Sequence, residues 1–188
     1  MQKKHIITIA GRPGSGKSTT AKGLAMKLGY EHFSSGDLFR AISKEQGIDV
    51  LQANLAAEQE ATIDHLVDQR LRDIGASEDN KVIDSRMAWH WMPNSYKVYL
   101  DLDILAAAQR TLGGRDMSLH NEEVPENPEE YAKVLQQRLD SEARRYKALY
   151  DLNPYDMSNY DLVVDTAANN PDQVLEIVLL EFQKWLDS

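Results

Sequence analysis

The first apolar run of the chain, Ile6, Ile7, Thr8, Ile9 and Ala10, is short and rich in β-branched residues, which predicts a buried strand. The period then changes. Ala21, Leu24, Ala25 and Leu28 recur at helical spacing and stop at Gly29, so a helix follows the strand. Tyr30 to Phe33 reads as a second short strand, leading into a helix expected to end near Gly47. From Asp49 to Ile74 the residues Leu51, Leu55, Ile63, Leu66, Val67 and Leu71 keep helical spacing among many alanines. One or two helices are expected there, with a break around Glu60 to Thr62. Gly75 to Asn80 is a polar turn and Lys81 to Asp84 a third strand.

The pattern is less regular around Trp89, Trp91 and Pro93, which reads as a loop. Lys97 to Leu100 is a fourth strand, and Ile104 to Leu112 a helix closed by Gly113-Gly114. Asn121 to Pro128 is acidic and twice interrupted by proline, hence a loop. Its end, Asn127-Pro128, has the N-cap and N1 residues in the preferred order for a helix start. That helix is expected to reach about Tyr150, with a stripe of Tyr131, Val134, Leu135, Leu139, Tyr146 and Leu149. Leu162 to Val164 is a fifth strand, and Asn170-Pro171 opens a last helix bearing Val174, Leu175, Val178, Phe182 and Trp185. Strands alternating with helices predict an α/β domain whose parallel sheet is covered on both faces.

Between the first strand and its helix lies Gly11-Arg12-Pro13-Gly14-Ser15-Gly16-Lys17-Ser18, a full GxxxxGK[ST] match, followed by Thr19. Strand, glycine loop and helix form the context in which this motif has physical meaning. The glycines let backbone N–H groups turn inward, where a side chain would block a phosphate. The helix N-terminus adds unpaired N–H groups and partial positive charge. Lys17 can bridge the β- and γ-phosphates of a nucleoside triphosphate, and the Ser18 hydroxyl can ligate Mg2+. The stretch from Gly11 to Thr19 is therefore the expected donor-nucleotide site.

Composition narrows the setting. A chain of 188 residues suits one α/β domain with small insertions. A net charge of −9 argues against nucleic acid or an anionic membrane as a partner, since both need a basic footprint. Cysteine is absent, so disulfides, thiolate nucleophiles and zinc–thiolate sites are excluded. No apolar run has membrane-spanning length and no signal-peptide core is visible, which makes the cytoplasm the expected location. A monomer is the expected form.

Three further clusters carry candidate chemistry: Ser35-Gly36-Asp37 with Arg40, Asp84-Ser85-Arg86, and Arg138, Glu142 and Arg145 on one stripe of the long helix. Each has a plain alternative. Ser35 and Asp37 could cap a helix, and Arg138 with Glu142 could be a solvated pair. Asp84 ends a buried strand, where such sheets face their ligand, so it is expected to act on Mg2+ or its waters. His90 and His120 have no partner pattern and read as structural or solvent-facing.

The segment SSGDLFR resembles the acceptor-binding SxGDxxR motif of nucleoside monophosphate kinases, and DSR resembles their DGR element. The short archaeal-type cytidylate (CMP) kinases fit best, with similar stretches at Ile63 to Arg70, at Glu142 to Tyr150 and at Tyr160 to Thr166. The resemblance implies a P-loop three-layer sandwich, with a five-stranded parallel sheet in order 2-3-1-4-5. It also implies an acceptor-binding insertion (about 36–76) and a lid (about 110–145). Lys17, Ser18 and the loop glycines would hold ATP and Mg2+. Ser35, Arg40 and Arg86 would grip the acceptor. Arg110, Arg138 and Arg145 would approach the moving phosphoryl group or the acceptor phosphate, with Glu142 near the sugar or an arginine. The chain departs from the pattern at Ser85, where the usual residue is glycine, at Met87, where bacterial-type CMP kinases have an aspartate, and at Ala143, where relatives often have another lid arginine. With Met87 offering no carboxylate, Asp64, Asp68 and Arg70 become the candidates for reading the base. The implied reaction is ATP-dependent phosphoryl transfer to CMP or dCMP. The alternatives are an adenylate kinase, a small-metabolite kinase of the shikimate or gluconate type, and an ATPase switch.

Overall fold

The computed structural model describes residues 3–45, 62–113 and 125–188. Five strands, β1 (Ile6–Gly11), β2 (Glu31–Ser34), β3 (Lys81–Asp84), β4 (Tyr96–Asp101) and β5 (Leu162–Asp165), form one sheet in the order β2-β3-β1-β4-β5. Every pairing is parallel, with Thr8 opposite both Ile83 and Lys97. The helices are α1 (Lys17–Leu28), α2 (Ser35–Glu45), α3 (Thr62–Ser77), α4 (Ala88–Trp91), α5 (Ile104–Gly113), α6 (Pro128–Tyr150) and α7 (Pro171–Asp187).

Alternation along β1 divides the core. Ile7 and Ile9 face one side, where Leu24, Val174, Val178 and Phe182 bring α1 and α7 against the sheet. Ile6 faces the other side and packs with Ile83 and with Ile63, Val67, Leu71 and Ile74 of α3. A third cluster, Leu102, Ala107, Ala108, Tyr131 and Leu135, joins α5 to α6. The expected three layers and strand order are present.

Several local expectations are corrected. The stretch around Trp89 and Trp91 is a one-turn helix, α4, rather than a loop. Its Trp89 is buried, so packing orders a segment that has no legible period. Leu66 and Val134 were expected on apolar stripes but are exposed, and so is Val163 on the edge strand β5. The helix start at Asn127-Pro128 holds: the Asn127 side chain accepts from the backbone N–H groups of Glu129 and Glu130. At Asn170-Pro171 a capping box forms with Gln173. The predicted helix over Asp49 to Glu60, the helix end near Gly47, His120 and residues 114–124 of the expected lid lie outside the described residues.

Candidate active site

Strands β1, β3 and β4 end side by side at Gly11, Asp84 and Asp101, and the chain turns from each into the same crevice. Gly11 shows why the loop needs glycine. Its φ is +149°, and a Cβ there would sit 2.3 Å from the Leu100 carbonyl oxygen. Gly16 has φ +85° and directly precedes α1, so it turns the chain so that the helix N-terminus faces the loop's interior.

Lys17 folds back over this loop and donates to the Arg12 carbonyl at 2.9 Å. Burial, assisted by the Arg86 charge, lowers its pKa to about 8. Arg12 itself points away, its Nε 3.2 Å from Asp101. The Ser18 hydroxyl donates to Asp84 Oδ2 at 2.5 Å. Ser18 and Asp84 are oxygen donors beside the phosphate loop, the type that suits Mg2+. The described residues contain no cluster of three His, Asp or Glu able to hold a metal ion. A cation here would therefore complete its shell with phosphate oxygens and water, as Mg2+ commonly does.

On one side of the loop lies a cavity of about 620 Å³, lined by Gly14, Gly16, Thr19, Thr20, Arg110 and the Thr166–Val174 segment. Arg110 donates to the Thr166 carbonyl at 2.5 Å and to its hydroxyl at 3.3 Å. On the other side is a second cleft, walled by Ser35, Gly36, Phe39 and Arg40 of α2, Asp64 and Val67 of α3, Arg86, and Arg138, Glu142, Arg145 and Tyr146 of α6. Residues far apart in the chain thus converge as expected: Ser35, Gly36, Arg40, Arg86, Arg138, Glu142 and Arg145.

The charges in this second cleft are arranged in pairs. Glu142 is buried, with Arg86 Nε at 2.8 Å from one oxygen and Arg138 Nε at 3.1 Å from the other. The Tyr155 hydroxyl also donates to Glu142. Burial would raise the Glu142 pKa, but the two arginines and that hydrogen bond outweigh it and hold the carboxyl below its usual range. Burial likewise works against the charge on Arg86, and Glu142 with Tyr155 and Tyr146 keeps it firmly protonated. Arg145 Nε lies 3.3 Å from Asp64. Burial pushes the Asp64 carboxyl up, and Arg145 only partly offsets it.

Four predicted residues fall elsewhere. Arg110 lines the first cavity, not the arginine-rich cleft, and its helix α5 packs against the loop at Gly14 through Ala107 and Thr111. Asp37 is exposed and pairs with Arg40 at 2.5 Å, while its N–H donates to Ser34 Oγ, so it belongs to the start of α2. Asp68 lies behind the cleft, its two oxygens taken by Trp91 and Tyr150. Arg70 also turns outward, to Glu78 at 2.9 Å. His90 packs edge-on against Trp91, with centroids 4.4 Å apart, as its structural reading anticipates. Sequence reasoning overlooked Tyr155 and the Thr166–Asn170 loop. Tyr155 carries no periodic signal, but the loop could have been found, because it follows the C-terminal end of a parallel strand.

A parallel sheet in this order, a phosphate loop after β1 and cavities on both sides of it define a P-loop nucleotide-binding domain with room for a second ligand. Solved structures share the fold: a shikimate kinase from Bacteroides thetaiotaomicron (TM-score 0.63, 18% identity, 97% of this chain and 98% of that one) and a gluconokinase from Sinorhizobium meliloti (TM-score 0.61, 15% identity, 100% and 96%). Sequence places the chain more narrowly. The profile of the cytidylate kinase-like family matches residues 6–168, and the chain belongs to that family. Among its relatives are the cytidylate kinases of Haloarcula marismortui, 42% identical over 178 residues (93% of this chain, 87% of that one), and of Methanothrix thermoacetophila, 36% identical over 174 residues (93% and 95%). The protein is a kinase.

Proposed function

We propose that this kinase transfers the γ-phosphoryl group of ATP, reversibly, to CMP or dCMP. The observation that carries the reading is the convergence of Arg40, Arg86, Arg138 and Arg145 on one cleft beside the phosphate loop. A hydroxyl acceptor such as shikimate or gluconate brings no phosphate for such a set to bind, and a nucleoside monophosphate does. The family relationship points the same way.

The chemistry asks little of the protein beyond placement and charge. An oxygen of the acceptor phosphate, already ionised at neutral pH, attacks the γ-phosphorus, and the bond to the bridging oxygen of ADP breaks in line. No general base is needed. Lys17 and the loop N–H groups hold the β- and γ-phosphates, while Arg86, Arg138 and Arg145 offset the charge of two phosphate groups brought together. Ser18 and Asp84 would hold Mg2+, which when bound neutralises charge on the donor phosphates. Arg110 and the Thr166–Asn170 loop form the wall for the donor's nucleoside, which reassigns Arg110 from the phosphoryl group to the donor base. Asp64 takes the part of base reader. It lines the cleft, and its carboxylate can accept from the cytosine amino group, which uracil lacks. No helix among the described residues is long and apolar enough to cross a membrane.

The test is a coupled assay of ADP release with ATP and Mg2+ against CMP, dCMP, UMP, AMP, GMP, shikimate and gluconate. CMP and dCMP should lead UMP by at least about tenfold in kcat/KM, or roughly 1.4 kcal/mol. A lead by AMP would replace the acceptor named here. Turnover that no monophosphate stimulates would overturn the kinase reading altogether.

A further inference from the structure

Behind the arginine-rich cleft, one buried carboxylate ties three elements together. Asp68 lies one turn beyond Asp64 on α3 and is 4% exposed. Its Oδ1 accepts from Trp91 Nε1 of α4 at 3.0 Å, and its Oδ2 accepts from the hydroxyl of Tyr150, the last residue of α6. The Trp91 ring meets Tyr150 edge-on at 5.3 Å, and the Arg72 guanidinium lies over Trp91 at 4.0 Å. A carboxylate at this depth is costly unless its oxygens are satisfied, so each donor is held in place by the other's need.

We propose that Asp68 is a positioning residue for the acceptor, clamping α3 to α4 and α6 so that Asp64 and Arg145 face each other across the cleft. The geometry is that of two rungs between the same two helices. Asp68–Tyr150 is the rear rung and Asp64–Arg145 the front one, each displaced by about one turn along its helix. Between the rungs, Tyr146 stacks on Tyr150 with ring centroids 6.4 Å apart, and the Arg145 guanidinium lies 5.3 Å from the Tyr146 ring. The apolar face of α3 does not do this work. Ile63, Val67, Leu71 and Ile74 bind it to the sheet and decide which face is buried, but these contacts are non-directional and leave small rotations about the helix axis cheap. Directional hydrogen bonds at Asp68 remove that freedom. The fold can therefore survive without the clamp, whereas the aim of Asp64 and Arg145 cannot.

This inference rests on reading the cleft as the acceptor site, and the experiment separates the two. Asp68→Asn, Tyr150→Phe, Trp91→Phe and the Asp68→Asn/Tyr150→Phe double variant would be compared with wild type in steady-state kinetics and in amide hydrogen exchange. Asp68→Asn and Tyr150→Phe should each raise the KM for CMP by roughly tenfold, as expected for losing a hydrogen bond to a charged group. The KM for ATP should not move, and kcat should fall by no more than it does in Arg145→Ala. The double variant should be no worse than the weaker single one, because both remove the same rung. Exchange should quicken in α3 and not in α1. If melting temperature falls while the KM for CMP stays put, or if both KM values rise together, Asp68 is merely structural and the proposal is wrong. If wild type transfers to no monophosphate, the acceptor reading fails, and the clamp is judged on exchange alone: quickened α3 exchange in Asp68→Asn supports it, and unchanged exchange overturns it.

Discussion

Glu142→Gln tests the electrostatic design of the cleft most directly. Glutamine keeps the shape of Glu142 but removes the charge that faces Arg86 at 2.8 Å and Arg138 at 3.1 Å. Breaking a buried pair by neutralising one member costs about 3–5 kcal/mol, because the other charge stays desolvated. Arg138 is half exposed and water can take over, so it contributes little. Arg86 is the expensive partner, though its side chain retains 26% exposure, which places the loss at the low end, about 3 kcal/mol. For a chain of this size that is a fall in melting temperature of roughly 6–12 °C. The sign with pH follows from the direction of the Glu142 shift. Its folded pKa lies below the ordinary value, so its stabilisation is complete above the ordinary glutamate range and is lost as pH falls through the folded pKa. Urea titrations of wild type and Glu142→Gln at a series of pH values should thus show a gap that is full at neutrality and closes in acid. A variant as stable as wild type at pH 7, or a gap that does not change with pH, would refute the account of Glu142 as the counter-charge that permits Arg86 to be buried.

Other outcomes follow from the same geometry. Lys17→Ala should lower kcat/KM by about a hundredfold, roughly 3 kcal/mol, with the fold intact. Because the Lys17 pKa is lowered to about 8, mainly by burial, wild-type kcat/KM should fall as pH rises through that value. The same shift means that charged Lys17 costs stability below about pH 8, a cost relieved as pH rises toward the ordinary lysine value. Lys17→Ala should accordingly be the more stable protein at pH 7 in urea titrations, with the difference shrinking above pH 8. Arg145→Ala should reduce kcat more than it raises the KM for ATP, and the reverse result in steady-state kinetics would move Arg145 to the donor side. Arg110→Ala should raise the KM for ATP several-fold and leave the KM for CMP unchanged, as its place beside Thr166 requires.

What the chain determined locally was legible in one dimension. The phosphate loop could be read because its requirements are backbone requirements: φ values open to glycine, a strand before and a helix after. The alternation of short apolar runs with helical stripes likewise announced a parallel sheet, and Asn-Pro pairs marked helix starts that the side-chain caps bear out. These signals work within a few residues of each other. The pairings that make the cleft do not. Glu142 meets Arg86 and Asp64 meets Arg145 across separations that no periodicity encodes, and only the placing of α6 beside the end of β3 and the start of α3 decides them. The same holds for Asp68, which looked as available to a substrate as Asp64. One helical turn separates the two, and that turn puts one carboxylate in the cleft and the other behind it, against Trp91 and Tyr150. Which way a helix faces is set by what packs on it from elsewhere in the chain, so residue type was visible in the sequence and role was decided by the tertiary structure.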